Sequence, residues 1–288
     1  MIEDDGDTMT APLEPIQITD ARDPRIAEYV ALRDRGLRKM DGREGVFIGE
    51  AVLVVEVMLE SRGLTRSVLT SRKQADRMAQ VIAASNSPET TLFVADEKTM
   101  ESITGFDLHR GVLACGARAP VEERALEDIV PAPDGHATLL VCDGISNIDN
   151  IGMMFRNAAA FGVDAVVLSP ECHDPLYRKS LRVSIGHALR VPWHRSKDWN
   201  TTLKRLTDEF GVTLVGTSIE SESISLDRIE APDRVGVVMG SEFKGIGSIA
   251  SRHCAMTTRI PMMEGTDSLN VGVAAGVCLH KFSRSNRI

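Results

Sequence analysis

Apolar positions along this 288-residue chain follow two rhythms, short continuous runs and stripes spaced three and four apart. Between about residues 21 and 118 the runs in "GVFIGE", "RSVLTS", "TTLFVAD" and "RGVLACGAR" predict strands. The stretches "AVLVVEVMLESRG" and "RKQADRMAQVIAAS" between them predict helices, giving a small α/β domain over 21–118. A linker is expected at 119–136, where "APVEERALEDIVPAPDG" sets Pro120, Pro131 and Pro133 among charges. The alternation then resumes in 137–288, with "ATLLVCD", "VDAVVLS", "VTLVGTS", "RVGVVMG" and "TTRIP" as strands and helical segments such as "DWNTTLKRLTDEFG" between most of them. Near-continuous apolar strands alternating with helices predict a parallel sheet covered on both faces. Residues 1–20 show no period and are expected to be a disordered acidic tail.

Ligands of such sheets bind in the loops that follow the strands' carboxyl ends, which directs attention to three segments. In "SNIDNIGMMFRNAAAFG", Ile151, Met154, Phe155, Ala158 and Ala159 form an apolar helical stripe. Gly152 and Arg156 are four apart and share another face, so the glycine is read as clearing a path for the guanidinium toward the strand-end loop. An ordinary surface arginine is the competing reading. The second segment, "GSEFKGIG", lacks the Lys-Ser/Thr of a phosphate-binding Walker loop, and no GxGxxG follows a strand; a purely structural turn stays open there. In the third, "IPMMEGTDSLNVGVAAGVCLHKF", Ser268 is the expected helix N-cap, and Val271, Ala274, Ala275, Cys278, Leu279 and Phe282 form a second stripe. Gly272 and Gly276 offer a smooth strip for a close neighbour, a partner subunit among the candidates.

The formal net charge of −8 speaks against a nucleic-acid partner until its distribution is considered. Residues 1–20 carry six acids and no Lys or Arg, and without them 35 acids face 33 bases. Basic runs then emerge around Arg38, Lys39 and Arg43, and around Arg178, Lys179, Arg182, Arg190 and Arg195; solvated faces are the bland reading of both. The five cysteines form no CxxC pair, and His173 beside Cys172 has no further ligand at metal spacing, so no metal site is expected. No secretory pattern opens the chain and its longest apolar runs are too short to cross a bilayer, which predicts a reduced cytoplasmic protein without membrane contact.

Taken in order, the three segments resemble the three motifs of the SpoU (TrmH-type) branch of the SPOUT RNA methyltransferases, over about Thr138 to Phe282. The family's Asn, Gly and Arg fall on Asn150, Gly152 and Arg156; its Gly-Ser-Glu and following Gly on Gly240, Ser241, Glu242 and Gly245; its Ile-Pro-Met and Ser-Leu-Asn-Val on Ile260 to Met262 and Ser268 to Val271. "GVFIGEAVLVVEVMLES" and "LHRGVLA" resemble, more loosely, the family's L30e-like substrate-binding domain. The chain departs from the pattern at Asn147-Ile148, where many members have Asp-Pro, at Glu264, where the third motif usually has glycine, and at Gly272, where serine is common.

The resemblance implies a C-terminal SPOUT domain with a deep trefoil knot, S-adenosylmethionine as cofactor, and a homodimer through the C-terminal domain whose site draws on both subunits. It implies methyl transfer to a ribose 2′-hydroxyl of RNA, ribosomal RNA before transfer RNA; a transfer-RNA enzyme and a non-catalytic knotted RNA-binding homologue are the alternatives. The catalytic residues expected from it are Arg156, Asn150, Glu242, Ser268 and Asn270, and the cofactor-binding ones Thr217, Gly240, Ile260, Met262 and Leu269. Arg38, Lys39, Arg43, Arg178, Lys179 and Arg182 are the expected RNA contacts.

Overall fold

The computed structural model describes residues 14–30, 45–105, 111–122, 124–266 and 268–283, so Arg38, Lys39 and Arg43 lie outside the described residues. The chain divides into two compact units, residues 1–33 with 50–116 and residues 34–49 with 117–288.

The first sheet has the order β1-β4-β3-β5-β2. Its strands are β1 (Ile16–Ile18), β2 (Val46–Glu50), β3 (Thr65–Ser71), β4 (Thr91–Ala95) and β5 (Val112–Ala117), with helices α1 (Val52–Leu59), α2 (Ala75–Ala83) and α3 (Glu97–Thr104) between them. Strand β1 falls inside the expected tail. It pairs in parallel with β4, and Ile18 is buried there, so the alternating "IQI" is short but sufficient for an edge strand. Within this unit the buried Tyr29 hydroxyl donates to the Ser67 carbonyl at 2.9 Å and accepts from the Cys115 N–H at 3.1 Å, a polar anchor inside an apolar core.

The second unit opens with α4 (Ala119–Glu122) and α5 (Leu126–Ile129), in the stretch expected to be a linker. Leu126, Ile129 and Val130 instead join the core over the second sheet. The buried Arg234 holds the following turn, donating to the carbonyls of Pro131 and Ala132 at 2.7 Å each, to that of Gly135, and to that of Phe210 at 2.8 Å. Prolines between charges thus mark a folded connection here, because the apolar residues beside them have a sheet face to cover.

The second sheet has seven strands in the order β10-β12-β9-β11-β6-β7-β8, and all neighbours are parallel. They are β6 (Ala137–Asp143), β7 (Ala165–Leu168), β8 (Trp193–Arg195), β9 (Thr213–Thr217), β10 (Ile224–Ser225), β11 (Arg234–Gly240) and β12 (Met256–Arg259). The helices are α6 (Ile148–Ala160), α7 (Arg178–Val183), α8 (His187–Arg190), α9 (Trp199–Asp208), α10 (Ser248–His253) and α11 (Val271–Phe282). Central strands β6 and β11 are buried along their whole length, which is why they read as unbroken apolar runs. Trp199, Leu203 and Leu206 of α9 cover this sheet together with α5. The α6 stripe is buried at Ile151, Met154, Phe155 and Ala158, and the Phe155 ring meets Trp193 edge-on at 6.4 Å. Full burial of such a side chain stabilises by roughly 1.5–3 kcal/mol.

Candidate active site

Three strand ends meet around one cavity of about 690 Å³. It is walled by the loop after β9 (Thr217 to Glu220), the loop after β11 (Gly240 to Ile246), the loop after β12 (Ile260, Met262, Ser268, Leu269) and the start of α11. The loop after β11 is clasped by reciprocal main-chain bonds, Ser241 N–H to the Gly245 carbonyl at 3.0 Å and Gly245 N–H to the Ser241 carbonyl at 2.9 Å. Gly245 reaches that turn at φ +64°, a region open chiefly to glycine. A Cβ on Gly240 would run into the main chain of Gly245 and Ile246, so the clasp needs glycine there too. Thr217 Oγ1 donates to the Val238 carbonyl at 2.9 Å and ties the first wall to β11.

The second structural feature joins the three segments. Asn147 caps α6, its Oδ1 accepting from the N–H groups of Asp149 at 2.8 Å and Asn150 at 3.1 Å. Asn270 caps α11 in the same way, toward Gly272 at 2.9 Å and Val273 at 3.3 Å. The cap of α11 is therefore Asn270 and not the expected Ser268, which lies exposed on the cavity wall. With its oxygen committed to the cap, Asn270 donates through Nδ2 to Asn150 Oδ1 at 3.0 Å. The buried Asn150 passes the order on by donating Nδ2 to Glu242 Oε1. One carboxylate oxygen of Glu242 is thereby held at the cavity, where it lines the wall.

The expected cofactor residues Thr217, Gly240, Ile260, Met262 and Leu269 all line this cavity, as do Glu242, Ser268 and Asn270. Arg156 does not. It is exposed on α6, lines no part of the cavity of its own chain, and makes no hydrogen bond or ion pair among the described residues. Gly152 does not clear a path for it either: a Cβ there would sit 2.6 Å from Val183 Cβ and 2.9 Å from the Ser180 carbonyl, so the glycine serves the close packing of α6 on α7. Gly272 and Gly276 likewise face Met153 and Asn157 of α6, within the same chain. Asn157 Nδ2 donates to the Gly272 carbonyl at 2.7 Å across that contact.

Of the expected RNA contacts in α7, Lys179 pairs with Asp149 at 2.8 Å, Arg182 is exposed and Arg178 is half-buried. Arg195, from the same basic run, is turned inward onto the carbonyls of Cys172 at 2.7 Å and His173 at 2.9 Å, so the run is not a uniform basic face. Glu264 stands exposed in a turn closed by Thr266 N–H on the Met263 carbonyl, and Gly265 one place later takes the left-handed conformation at φ +84°.

Sequence reasoning missed Asp143, a buried acid ending β6, whose Oδ2 accepts from Gly247 N–H at 2.6 Å and pins the far end of the second loop. The signal was available in "ATLLVCD", an acid closing an otherwise apolar strand. Burial pushes the Cys254 thiol up to about 11 and that of Cys278 up to about 12, so neither cavity thiol is a nucleophile at neutral pH.

The lining suits a flat ring joined to charged groups. Met239, Ile246, Ile260 and Met262 supply apolar surface, Glu220 and Glu242 supply carboxylates that favour a cation, and the volume falls within the range of about 300–1,000 Å³ usual for small-molecule sites. Among the described residues the main-chain N–H groups of Ile246, Met262 and Leu269 have no partner, which leaves donors available to a ligand. S-adenosylmethionine, with its adenine, sulfonium and carboxylate, fits this donor set. Among the described residues no group of three or more His, Cys, Asp or Glu is arranged to hold a metal, and no helix is long and apolar enough to cross a membrane.

An all-parallel sheet with its ligand cavity built from loops at the strands' carboxyl ends defines an α/β protein of the nucleotide-cofactor type. The chain belongs to the SpoU rRNA methylase family, whose sequence profile matches residues 137–280. It is 35% identical to an uncharacterised tRNA/rRNA methyltransferase of Mycobacterium tuberculosis, over 95% of this chain and 93% of that protein. It is 30% identical to the 23S rRNA (guanosine-2′-O-)-methyltransferase RlmB of Acinetobacter baylyi, over 80% of this chain and 94% of that one. Among solved structures, an RNA 2′-O ribose methyltransferase superposes with a TM-score of 0.74 at 25% identity, covering 95% of this chain and all of the other. The AdoMet-bound rRNA methyltransferase of Sinorhizobium meliloti shares the fold with a TM-score of 0.75 at 22% identity, over 94% and 98%.

Proposed function

We propose that this protein transfers a methyl group from S-adenosylmethionine to a ribose 2′-hydroxyl of ribosomal RNA. The observation that carries the reading is the convergence of the second and third motif loops and the loop after β9 on one cavity, with Asn150 of the first motif bridging Glu242 and Asn270 beside it. When bound, S-adenosylmethionine supplies an activated sulfonium methyl group. The chain supplies alignment and charge. Thr217, Gly240, Ile260, Met262 and Leu269 hold the cofactor against the walls they form. Asn270 and Asn150 fix Glu242, which accepts the hydroxyl proton directly or through water. Ser268 orients the ribose. A guanidinium donates and does not accept protons, so Arg156 binds the phosphate beside the target and offsets the charge on the attacking oxygen.

Arg156 does so from the partner subunit. Its exposure, its lack of a partner among the described residues and its absence from its own cavity wall all support this. The homodimer forms through the C-terminal domain, along the groove of Met153, Phe161, Val273 and Val277, where Val273 and Val277 are 47% and 40% exposed. The knot that the resemblance implies is supported by the course of the chain: β12 lies outboard of β9, yet α11 returns to pack on β11 and α6. Lys179 and Arg182 of α7 and the α/β unit in front of the catalytic one hold RNA, and the protein works in the cytoplasm where that RNA is made. A ribosomal target is favoured over a transfer-RNA one by the name of the Acinetobacter relative. Mapping 2′-O-methyl sites in the RNA of cells with and without the gene tests the proposal. One ribosomal position losing its mark is the expected result.

A further inference from the structure

Phe243 is 97% exposed, beside cavity-lining Glu242 and Lys244, in a chain with only 4% aromatic residues. A phenyl ring left in water gains nothing from folding, so its place at the tip of this loop calls for another cause. The loop that carries it is closed by the Ser241–Gly245 clasp, and Ser241 Oγ accepts from Lys244 N–H at 3.3 Å, so the ring stands on a fixed support. Among the described residues no other aromatic ring lines the cavity, and the 70% exposed Ile219 adds apolar surface on the loop after β9. Lys244 is exposed and unpaired among the described residues, one position from the ring.

We propose that Phe243 is the platform on which the base of the target nucleotide stacks, with Lys244 on a neighbouring phosphate. The inference rests on the RNA methylation reading above and adds a substrate class to it. A base within a duplex has both faces covered, so a ring at the cavity mouth selects a nucleotide that is unpaired or splayed out of a loop. Stacking accepts any base, because every base has a π-face. Sequence choice then belongs to other parts of the protein.

The test uses the full chain and unmodified ribosomal RNA made by transcription. Phe243→Ala is expected to raise the KM for RNA about ten-fold or more, with kcat changed less than about two-fold. The affinity for S-adenosylmethionine and the oligomeric state are expected to stay unchanged, and Phe243→Tyr or Phe243→Trp to restore the KM. An unchanged KM in Phe243→Ala, or a loss in Phe243→Trp as large as in Phe243→Ala, overturns the proposal. So does a weakened S-adenosylmethionine affinity, which would make the ring a cofactor cover, or a changed oligomeric state, which would make it an interface residue.

A binding measurement separates this inference from the activity reading. In Phe243→Trp the new indole is exposed while Trp193 and Trp199 are buried, so its emission is resolved from theirs. Single-stranded poly(U) is expected to quench it and poly(A)·poly(U) duplex not to. Absence of quenching by poly(U) overturns the proposal whether or not the protein methylates RNA. Quenching together with no methyl transfer by the parent protein supports the platform and removes the methylation reading instead.

Discussion

Asn270 donates its side-chain amide to Asn150 across 120 residues of chain, at 3.0 Å, and so couples the cap of α11 to the first turn of α6. Each partner is already committed elsewhere, Asn270 to the α11 cap and Asn150 to Glu242, which fixes both amide orientations without ambiguity. The coupling lets the third loop decide where the carboxylate of the second one points.

Asn150→Asp places a carboxylate against Glu242 and removes the donor that holds it. Like charges at hydrogen-bond distance keep one group protonated or drive the two apart. Methyl transfer is expected to fall by at least about 100-fold, with a stability loss of about 1–3 kcal/mol from the broken buried bonds. Steady-state rates and urea unfolding check this, and wild-type turnover in Asn150→Asp would remove the network from the mechanism.

Arg156→Ala is a surface change on α6, so stability is expected to stay within about 0.5 kcal/mol. Methylation should nevertheless fall by orders of magnitude, with S-adenosylmethionine binding by calorimetry within about two-fold of normal. Co-expressing Arg156→Ala with the cavity-filling Leu269→Trp distinguishes the two geometries. If the arginine acts across the dimer, mixed dimers regain one working site. No regain places Arg156 on its own subunit's cavity.

Gly152→Val tests the packing explanation for the glycine. The added methyls meet Val183 and the Ser180 carbonyl of α7, and overpacking of this kind costs about 1–3 kcal/mol or more. Denaturant midpoints should show the loss in the absence of any ligand. A stable variant defective only in catalysis would favour the open-path reading instead.

Burial raises the thiols of Cys115 and Cys278 up to about 12 and Cys254 up to about 11, while an unfolded thiol titrates near 9. A folded value above the unfolded one means the stabilisation is complete below about pH 9 and is lost as pH rises toward 11 and 12. Stability measured between pH 8 and 11 should therefore fall on the alkaline side. A thiol reagent at pH 8 should label Cys115 and Cys278 only on unfolding. Rapid labelling of native Cys115 or Cys278 would contradict the burial.

Much of this arrangement was legible beforehand because β6 and β11 are buried throughout and spell it in continuous apolar runs, and because α6 and α11 carry regular stripes. The cavity wall was legible too, since its residues follow directly on strand ends. Gly152 was misread because spacing tells which residues share a helix face but not what packs on that face. Val183, thirty-one positions later, decides it. The 119–136 segment was misread because its prolines and charges hid Leu126, Ile129 and Val130, whose role depends on a sheet face formed elsewhere. Arg234, which fastens that segment, carried no local sign of doing so.

The central claim is ribose 2′-O-methylation by a cofactor held in the cavity behind Glu242. It is tested most directly by incubating the protein with unmodified ribosomal RNA and S-adenosylmethionine labelled in the methyl group, then hydrolysing the RNA in alkali. A 2′-O-methyl group blocks cleavage of the adjacent phosphodiester, so the label should be recovered in alkali-resistant dinucleotides and be absent with Leu269→Trp. Label in mononucleotides would place the methyl group on a base, and no transfer to any RNA offered would contradict the account.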